Sequence, residues 1–223
     1  MKNPLSKIEF WLFDLDNTIY HPNTKIFNQI DLRMKKYISK ILDVTEDEAF
    51  KVQKKYYRKY GTTLFGLMKN DKVNADDFLN YVHNINLKNL VKSNELINLL
   101  ESLPGKKYIY TNGDSKHAEN VLKKLGVNEI FNGVFDIKKS GLIPKPEKKS
   151  LLNLLDFYSI DPRKTIYFED LEKNLMAASS MGITTVLIDY NKNSLKNSYV
   201  DYSFNTLIEA LKVIKSNLEK GIK

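Results

Sequence analysis

The stretch Phe10-Trp11-Leu12-Phe13-Asp14-Leu15-Asp16-Asn17-Thr18 decides how this chain is read. Ile8 to Phe13 is a short apolar run with aromatic and β-branched members. Such a run reads as a strand buried on both faces, the kind found in a parallel sheet. Two carboxylates, Asp14 and Asp16, follow directly. In open α/β sheets the ligand sits beyond the carboxyl ends of the strands. Two acids at that edge repel each other unless a cation, or an anionic substrate with its metal, joins them. The plainer alternative is a strand running into an Asp/Asn-rich turn.

Outward from this stretch the pattern first turns helical. A cap at Asn23 or Thr24 opens a helix to about Leu42, with Ile26, Ile30, Met34, Tyr37, Ile38 and Ile41 at helical spacing. Thr45-Glu46-Asp47-Glu48 is a capping box, and the helix behind it runs to Tyr60, where Gly61 ends it. Thr62 to Met68 is short and apolar, and Asn74 opens a further helix that buries Phe78, Leu79 and Val82. From Ile19 to Leu90 no stretch reads as a strand. Beyond Ser93 strands and helices alternate. The expected strands are Tyr108-Ile109-Tyr110, Val134 to Ile137, Thr165 to Phe168 and Thr184 to Ile188. Helices lie between them, and a last one runs from Asn205 to about Leu218. Alternation of this length implies βαβ units. The expectation is α/β, a Rossmann-like parallel-sheet core formed by residues 1–18 and 93–223. An all-helical insertion, residues 19–92, interrupts it. The Lys/Asn-rich stretch from Asn191 to Asn197 reads as a solvated loop.

Composition narrows the classes. The 223 residues are 42% hydrophobic, enough for one sizeable core carrying a smaller insertion. There is no cysteine, which excludes disulfides and thiolate chemistry and is compatible with a reducing compartment. Met1-Lys2-Asn3-Pro4 leads quickly into the first strand without the apolar stretch of a signal peptide. No run approaches membrane-spanning length, so a cytoplasmic protein without a membrane partner is expected. The net charge is +8 and the pI about 9.3. The lysines are scattered, and a clustered basic face with base-stacking aromatics is not visible, so nucleic acid is not an expected partner.

Four strand ends carry the chemistry. The first offers Asp14 and Asp16. The second offers Thr111, followed by Asn112 and Gly113. The loop Ser140-Gly141-Leu142-Ile143-Pro144-Lys145-Pro146 holds Lys145 between two prolines. The fourth offers Glu169 and Asp170, with Asn174 one helical turn on. Taken singly, each has a structural explanation: a turn, a solvated lysine, acids at a helix N-terminus. Taken together on one sheet edge, they are complementary. Carboxylates are hard ligands suited to Mg²⁺. A hydroxyl, backbone amides and a lysine suit phosphate oxygens. One carboxylate can attack phosphorus while another handles the proton.

Asp14-Leu15-Asp16-Asn17-Thr18, Thr111, Lys145-Pro146 and Glu169-Asp170 resemble the four motifs of the haloacid dehalogenase (HAD) superfamily of phosphohydrolases. The helical insertion resembles that superfamily's type 1 cap. The resemblance implies that Asp14 is the nucleophile and Asp16 the acid/base, so that phosphoryl transfer and not dehalogenation is expected. It implies Mg²⁺ held by Asp14, Asp170 and the backbone carbonyl of Asp16. It implies phosphate oxygens met by Thr111, Asn112 and Lys145, with Glu169 and Asn174 supporting from behind. Phe13 to Tyr20, the segment Tyr60 to Leu67 and Asp77 to His83 resemble the pyrimidine 5′-nucleotidase subgroup. Departures from that subgroup's usual pattern fall at Phe65, Asn84 and Asn86. The implied activity is hydrolysis of a small phosphomonoester, a nucleoside monophosphate, by a monomer or homodimer. Tyr20, Thr62, Thr63 and Phe65 are candidates for contact with the leaving group. The Tyr56-Tyr57-Tyr60 cluster reads as helical core before a base platform, His21 as a solvated linker residue, and His83 and His117 carry no assignment. The alternatives are a phosphatase of another small metabolite, such as a sugar phosphate or pyridoxal phosphate, and a catalytically silent binding module.

Overall fold

The computed structural model describes residues 5–190 and 197–220; residues 191–196 of the Lys/Asn-rich stretch lie outside the described residues. The first strand, β1 (Phe10–Phe13), is as buried as its composition implies, with Trp11, Leu12 and Phe13 wholly enclosed. It lies between β2 (Lys106–Tyr110) and β4 (Thr165–Glu169), parallel to both, with Phe13 in register with Ile109 and Phe168. With β3 (Gly133–Phe135), β5 (Thr184–Ile188) and β6 (Tyr202–Phe204) these form one six-stranded sheet of order β3-β2-β1-β4-β5-β6, every described pairing parallel. The connections run one way from β1 through β2 to β3 and the other way from β4 to β6. The switch point is therefore between β1 and β4.

Alternation along each strand divides the core into two layers. Trp11, Phe13, Ile109 and Phe168 face a layer that includes α5 (Asn94–Ser102), α6 (Ser115–Leu125) and α9 (Leu207–Lys220). Leu12, Tyr108, Tyr110 and Tyr167 face α7 (Lys148–Tyr158) and α8 (Leu175–Ser180). The rings of Phe13 and Phe168 stack at 4.7 Å across the β1–β4 pair, just beneath the strand ends.

Between β1 and α5 the chain forms only helices among its described elements: α1 (Ile26–Leu42), α2 (Glu46–Tyr60), α3 (Thr63–Asp71) and α4 (Ala75–Val82), besides a short 3₁₀ turn, Pro22–Thr24. The Thr45/Glu48 capping box forms as expected, and Asn74 caps α4. These helices bury Ile30, Ile38, Leu67, Phe78 and Val82 in a cluster of their own, which Ile137 of the sheet domain joins. Three details differ from expectation. α1 starts at Ile26, because the 3₁₀ turn ends at Lys25 in the left-handed region (φ 57°), which resets the chain direction. His21 is not merely solvated: its Nδ1 accepts from the Asn23 amide and caps that turn. Thr62 to Met68 belongs to a helix, with the Thr62 hydroxyl accepting from the Phe65 amide as N-cap. The edge strand β6 has no counterpart in the sequence reading, since its residues are half-buried or exposed and no buried apolar run marks it.

Candidate active site

The four strand ends converge. Asp14 directly follows β1, Thr111 directly follows β2, Glu169 closes β4 and Asp170 follows it. Lys145 reaches into the group from the β3–α7 connection. It is 3% exposed, and its Nζ donates to Asp14 Oδ1 (2.5 Å), Glu169 Oε2 (2.8 Å), the Tyr110 carbonyl (3.0 Å) and the Tyr167 hydroxyl (3.2 Å). The backbone of Lys145 is pinned by Asn112, whose side-chain oxygen accepts from the Lys145 amide at 2.8 Å and whose Nδ2 donates to the Lys145 carbonyl at 3.2 Å. The Thr111 hydroxyl oxygen is buried and accepts from the Gly113 amide (2.9 Å), which draws the turn after β2 tight around it.

One ammonium bonds two of three clustered carboxylates here. Ligand oxygens of Asp14, Glu169 and Asp170 all lie within 4.8 Å of one another. Burial pushes the Asp14 carboxyl up, Glu169 adds to the push, and Lys145 only partly opposes it. Burial, Glu169 and Asp14 likewise raise Asp170 far above the usual carboxylate range. Glu169 goes the other way, because Lys145 and the Tyr167 hydroxyl (2.5 Å) outweigh its burial. Asp14 and Asp170 are thus the two groups left without sufficient positive charge, and their donors are hard oxygens. A divalent hard cation is the group that such a set fits. Asn174, on the same cavity wall, has a buried Oδ1 without a hydrogen-bond partner, a further oxygen free for that purpose.

The Asp16 carboxylate stands apart from this trio. Its Oδ1 accepts from the Tyr20 hydroxyl at 2.5 Å and lies 2.8 Å from His117 Nε2. Burial alone would raise Asp16, but His117 and Tyr20 together hold it below the ordinary value. The His117 ring stacks on His83 at 4.4 Å and 10°. Neither histidine has a sequence signal beyond the Val82-His83 pair, and the hydrogen bond from Tyr20 is equally unannounced.

Above these groups lies a cavity of about 340 Å³ between the strand ends and the helical insertion. Thr62 and Thr63 line it, whereas Phe65 and Tyr20 are not among its lining residues: Phe65 packs edge-on to Tyr60, and Tyr20 is spent on Asp16. Tyr57 also lines the cavity, with Lys173 Nζ 4.0 Å over its ring, while Tyr56 packs against the helical core and Tyr60 lies edge-on to Tyr56 outside it.

Comparison with known proteins agrees with this geometry. The family model of haloacid dehalogenase-like hydrolases matches residues 11–188. The chain belongs to that family. It is 29% identical over 203 residues to Phosphate metabolism protein 8 of Saccharomyces cerevisiae, a match covering 83% of this chain and 62% of the yeast protein. It is 26% identical over 109 residues to a phosphoglycolate phosphatase of Mannheimia succiniciproducens, covering 48% of each. This chain therefore spans less than two thirds of the length of these curated relatives. Among solved structures, a HAD phosphatase from Thermococcus onnurineus superposes with a TM-score of 0.65 at 23% identity, covering 93% of this chain and 98% of the other, which is a likeness of fold. Among the described residues no helix is long and apolar enough to cross a membrane.

Proposed function

We propose that this HAD hydrolase is a Mg²⁺-dependent phosphomonoesterase that works through an aspartyl-phosphate and acts on nucleoside monophosphates, pyrimidine ones first. The observation that carries the reading is Asp14 itself: a buried carboxylate at a strand end, bonded to Lys145, grouped with Asp170 and opening on a cavity of small-molecule size. Asp14 attacks phosphorus, and the ester oxygen leaves with a proton from Asp16. Water then attacks the aspartyl-phosphate and returns a proton to Asp16. Thr111, the amide of Asn112 and Lys145 face the equatorial oxygens, where charge concentrates. Asp14, Asp170 and the Asp16 carbonyl would hold Mg²⁺, with Glu169 and Asn174 supporting them, and the bound cation would neutralise phosphate charge.

The leaving group has the rest of the cavity. Phe27, Met34 and Phe78 give the roof an apolar surface, and Gln53 supplies a polar point within it. The Gln53 amide is oriented by donation from Nε2 to Asp31 Oδ1 (2.7 Å), and its Oε1 is buried without a partner. An apolar roof with the unpartnered Gln53 oxygen in it supports a flat heterocycle bearing an N–H donor as the leaving group.

The test is phosphate release from UMP, CMP, AMP, GMP, a sugar phosphate and pyridoxal phosphate, with Mg²⁺, with chelator, and with Asp14→Asn as the blank. Metal-dependent release favouring UMP and CMP is expected. Metal-dependent release with another preference would keep the chemistry and discard the pyrimidine reading. Release by the Asp14→Asn protein equal to wild type would discard the chemistry.

A further inference from the structure

Asp16 is held by more than its own strand. Two donors from different elements converge on one of its oxygens: the Tyr20 hydroxyl (2.5 Å) and His117 Nε2 (2.8 Å) both meet Oδ1. No hydrogen bond from a described residue engages Oδ2, and Asp16 lines the cavity. In a protonated carboxyl the hydroxyl oxygen donates and the carbonyl-type oxygen accepts. Two donors on Oδ1 favour the carboxylate and make Oδ1 the accepting oxygen, so a proton that Asp16 takes up during the reaction goes to Oδ2.

His117 is itself fixed on two sides. Its amide donates to Asp114 Oδ1 (2.8 Å), the N-cap of α6, which sets the start of the helix that carries it. Its ring is covered by His83, which belongs to the helical insertion and lies with Nδ1 3.4 Å from the same Asp114 oxygen.

We propose that His117 is the positioning residue for Asp16, fixing Oδ1 together with Tyr20 so that Oδ2 delivers and recovers the proton, and that His83 backs His117 from the insertion. The proton on Oδ2 passes to the ester oxygen as the P–O bond breaks, and the attacking water returns one to Oδ2. Seating of the insertion on the sheet edge and alignment of the acid are thereby one event. This rests on the reading of Asp16 as acid/base, and the test separates the two.

The experiment compares kcat/KM, which reports the step that forms the aspartyl-phosphate, on two substrates, an alkyl phosphomonoester, whose leaving oxygen needs a proton, and p-nitrophenyl phosphate, whose leaving group does not. Asp16→Asn sets the reference. It should lose roughly 10²–10⁴ in kcat/KM on the alkyl ester, the usual contribution of general acid–base catalysis, and far less on the nitrophenyl ester. His117→Ala should show the same selective pattern in kcat/KM at about tenfold to a hundredfold. His117→Gln, whose Nε2 can donate to the same oxygen, should recover most of the loss. His83→Ala should lose a few-fold in the same direction, and His83→Phe, which keeps a stacking ring, should restore it. Tyr20→Phe, with its ring kept in place, provides a second variant should His117→Ala fold poorly, and it should show the selective loss too. Equal losses on both substrates in the His117 and Tyr20 variants, or no rescue by Gln, would overturn the proposal while Asp16→Asn still upheld the acid–base reading. An Asp16→Asn protein indifferent to the leaving group would overturn both.

Discussion

At the residue scale the site is an exercise in sharing one positive charge. Lys145 satisfies Asp14 and Glu169 from a buried position, so removing it leaves two enclosed carboxylates without a cation. Breaking a buried pair in this way costs about 3–5 kcal/mol, more than the pair contributes against an apolar replacement. Lys145→Met should therefore lower the unfolding free energy from urea titration by an amount in that range, and unfolding curves equal to wild type would contradict the assigned contacts. The residues of this trio were legible because apolar strands that end in acids, and a lysine between prolines, leave a mark in sequence. The partners of Asp16 were not. Tyr20 sits four residues from Asp16, and only the turn at Asn17, in the left-handed region with φ 62°, brings its hydroxyl back to the carboxylate. His83 and His117 meet through packing between distant elements, which no local pattern encodes. Phe65 was expected at the leaving group, but the helix that Thr62 caps turns it toward Tyr60.

At the element scale, α2 and α3 together carry Gln53, Tyr57, Thr62 and Thr63 to the cavity, and their mutual approach fixes where these side chains stand. Gly66 permits that approach, since a Cβ at this position would lie 2.4 Å from the Tyr56 Cβ. Gly66→Ala must then separate the helices or move Tyr56, at a cost of about 1–3 kcal/mol typical of overpacking. Calorimetry should show a lower Tm together with weaker nucleotide binding, whereas a higher Tm, as an unhindered Gly→Ala change in a helix would give, would contradict the packing. Caps and glycine stops located most helices in the sequence: Thr45 with Glu48, Asn74, Ser93 and Gly126 all act as their residue types suggest. Thr62 escaped notice because α3 is short and its apolar residues lack a wide polar face. β6 escaped because none of its residues is fully buried, so it leaves no apolar run in the sequence.

At the scale of the whole molecule, the chain folds so that charge accumulates at the switch point of its sheet, and a bound cation is the natural counterweight. Without one, burial and the neighbouring carboxylates raise Asp14 to about 7 and Asp170 to about 10. A group whose folded pKa is raised supports the fold while protonated, and that support is lost as pH climbs through the folded value. The metal-free protein should accordingly lose Tm from about pH 4, the ordinary carboxylate value, up to about pH 10, and Mg²⁺ should restore it increasingly across the same window because ligation needs the deprotonated acids. A Tm that rises with pH, or is indifferent to Mg²⁺, would contradict the charge assignment. The parallel sheet and the helical insertion follow from element order alone, and the family from the four strand ends. What the leaving group meets depends on how the insertion sits over the sheet, which sequence spacing does not specify. The central claim, a covalent route through Asp14, is tested most directly by acid-quenching the protein during turnover of a nucleoside monophosphate and mapping the acid-stable phosphoryl adduct by mass spectrometry. The adduct should lie on the peptide containing Asp14, be absent from Asp14→Asn, and accumulate in Asp16→Asn; turnover without any adduct on Asp14, or an adduct on another residue, would contradict it.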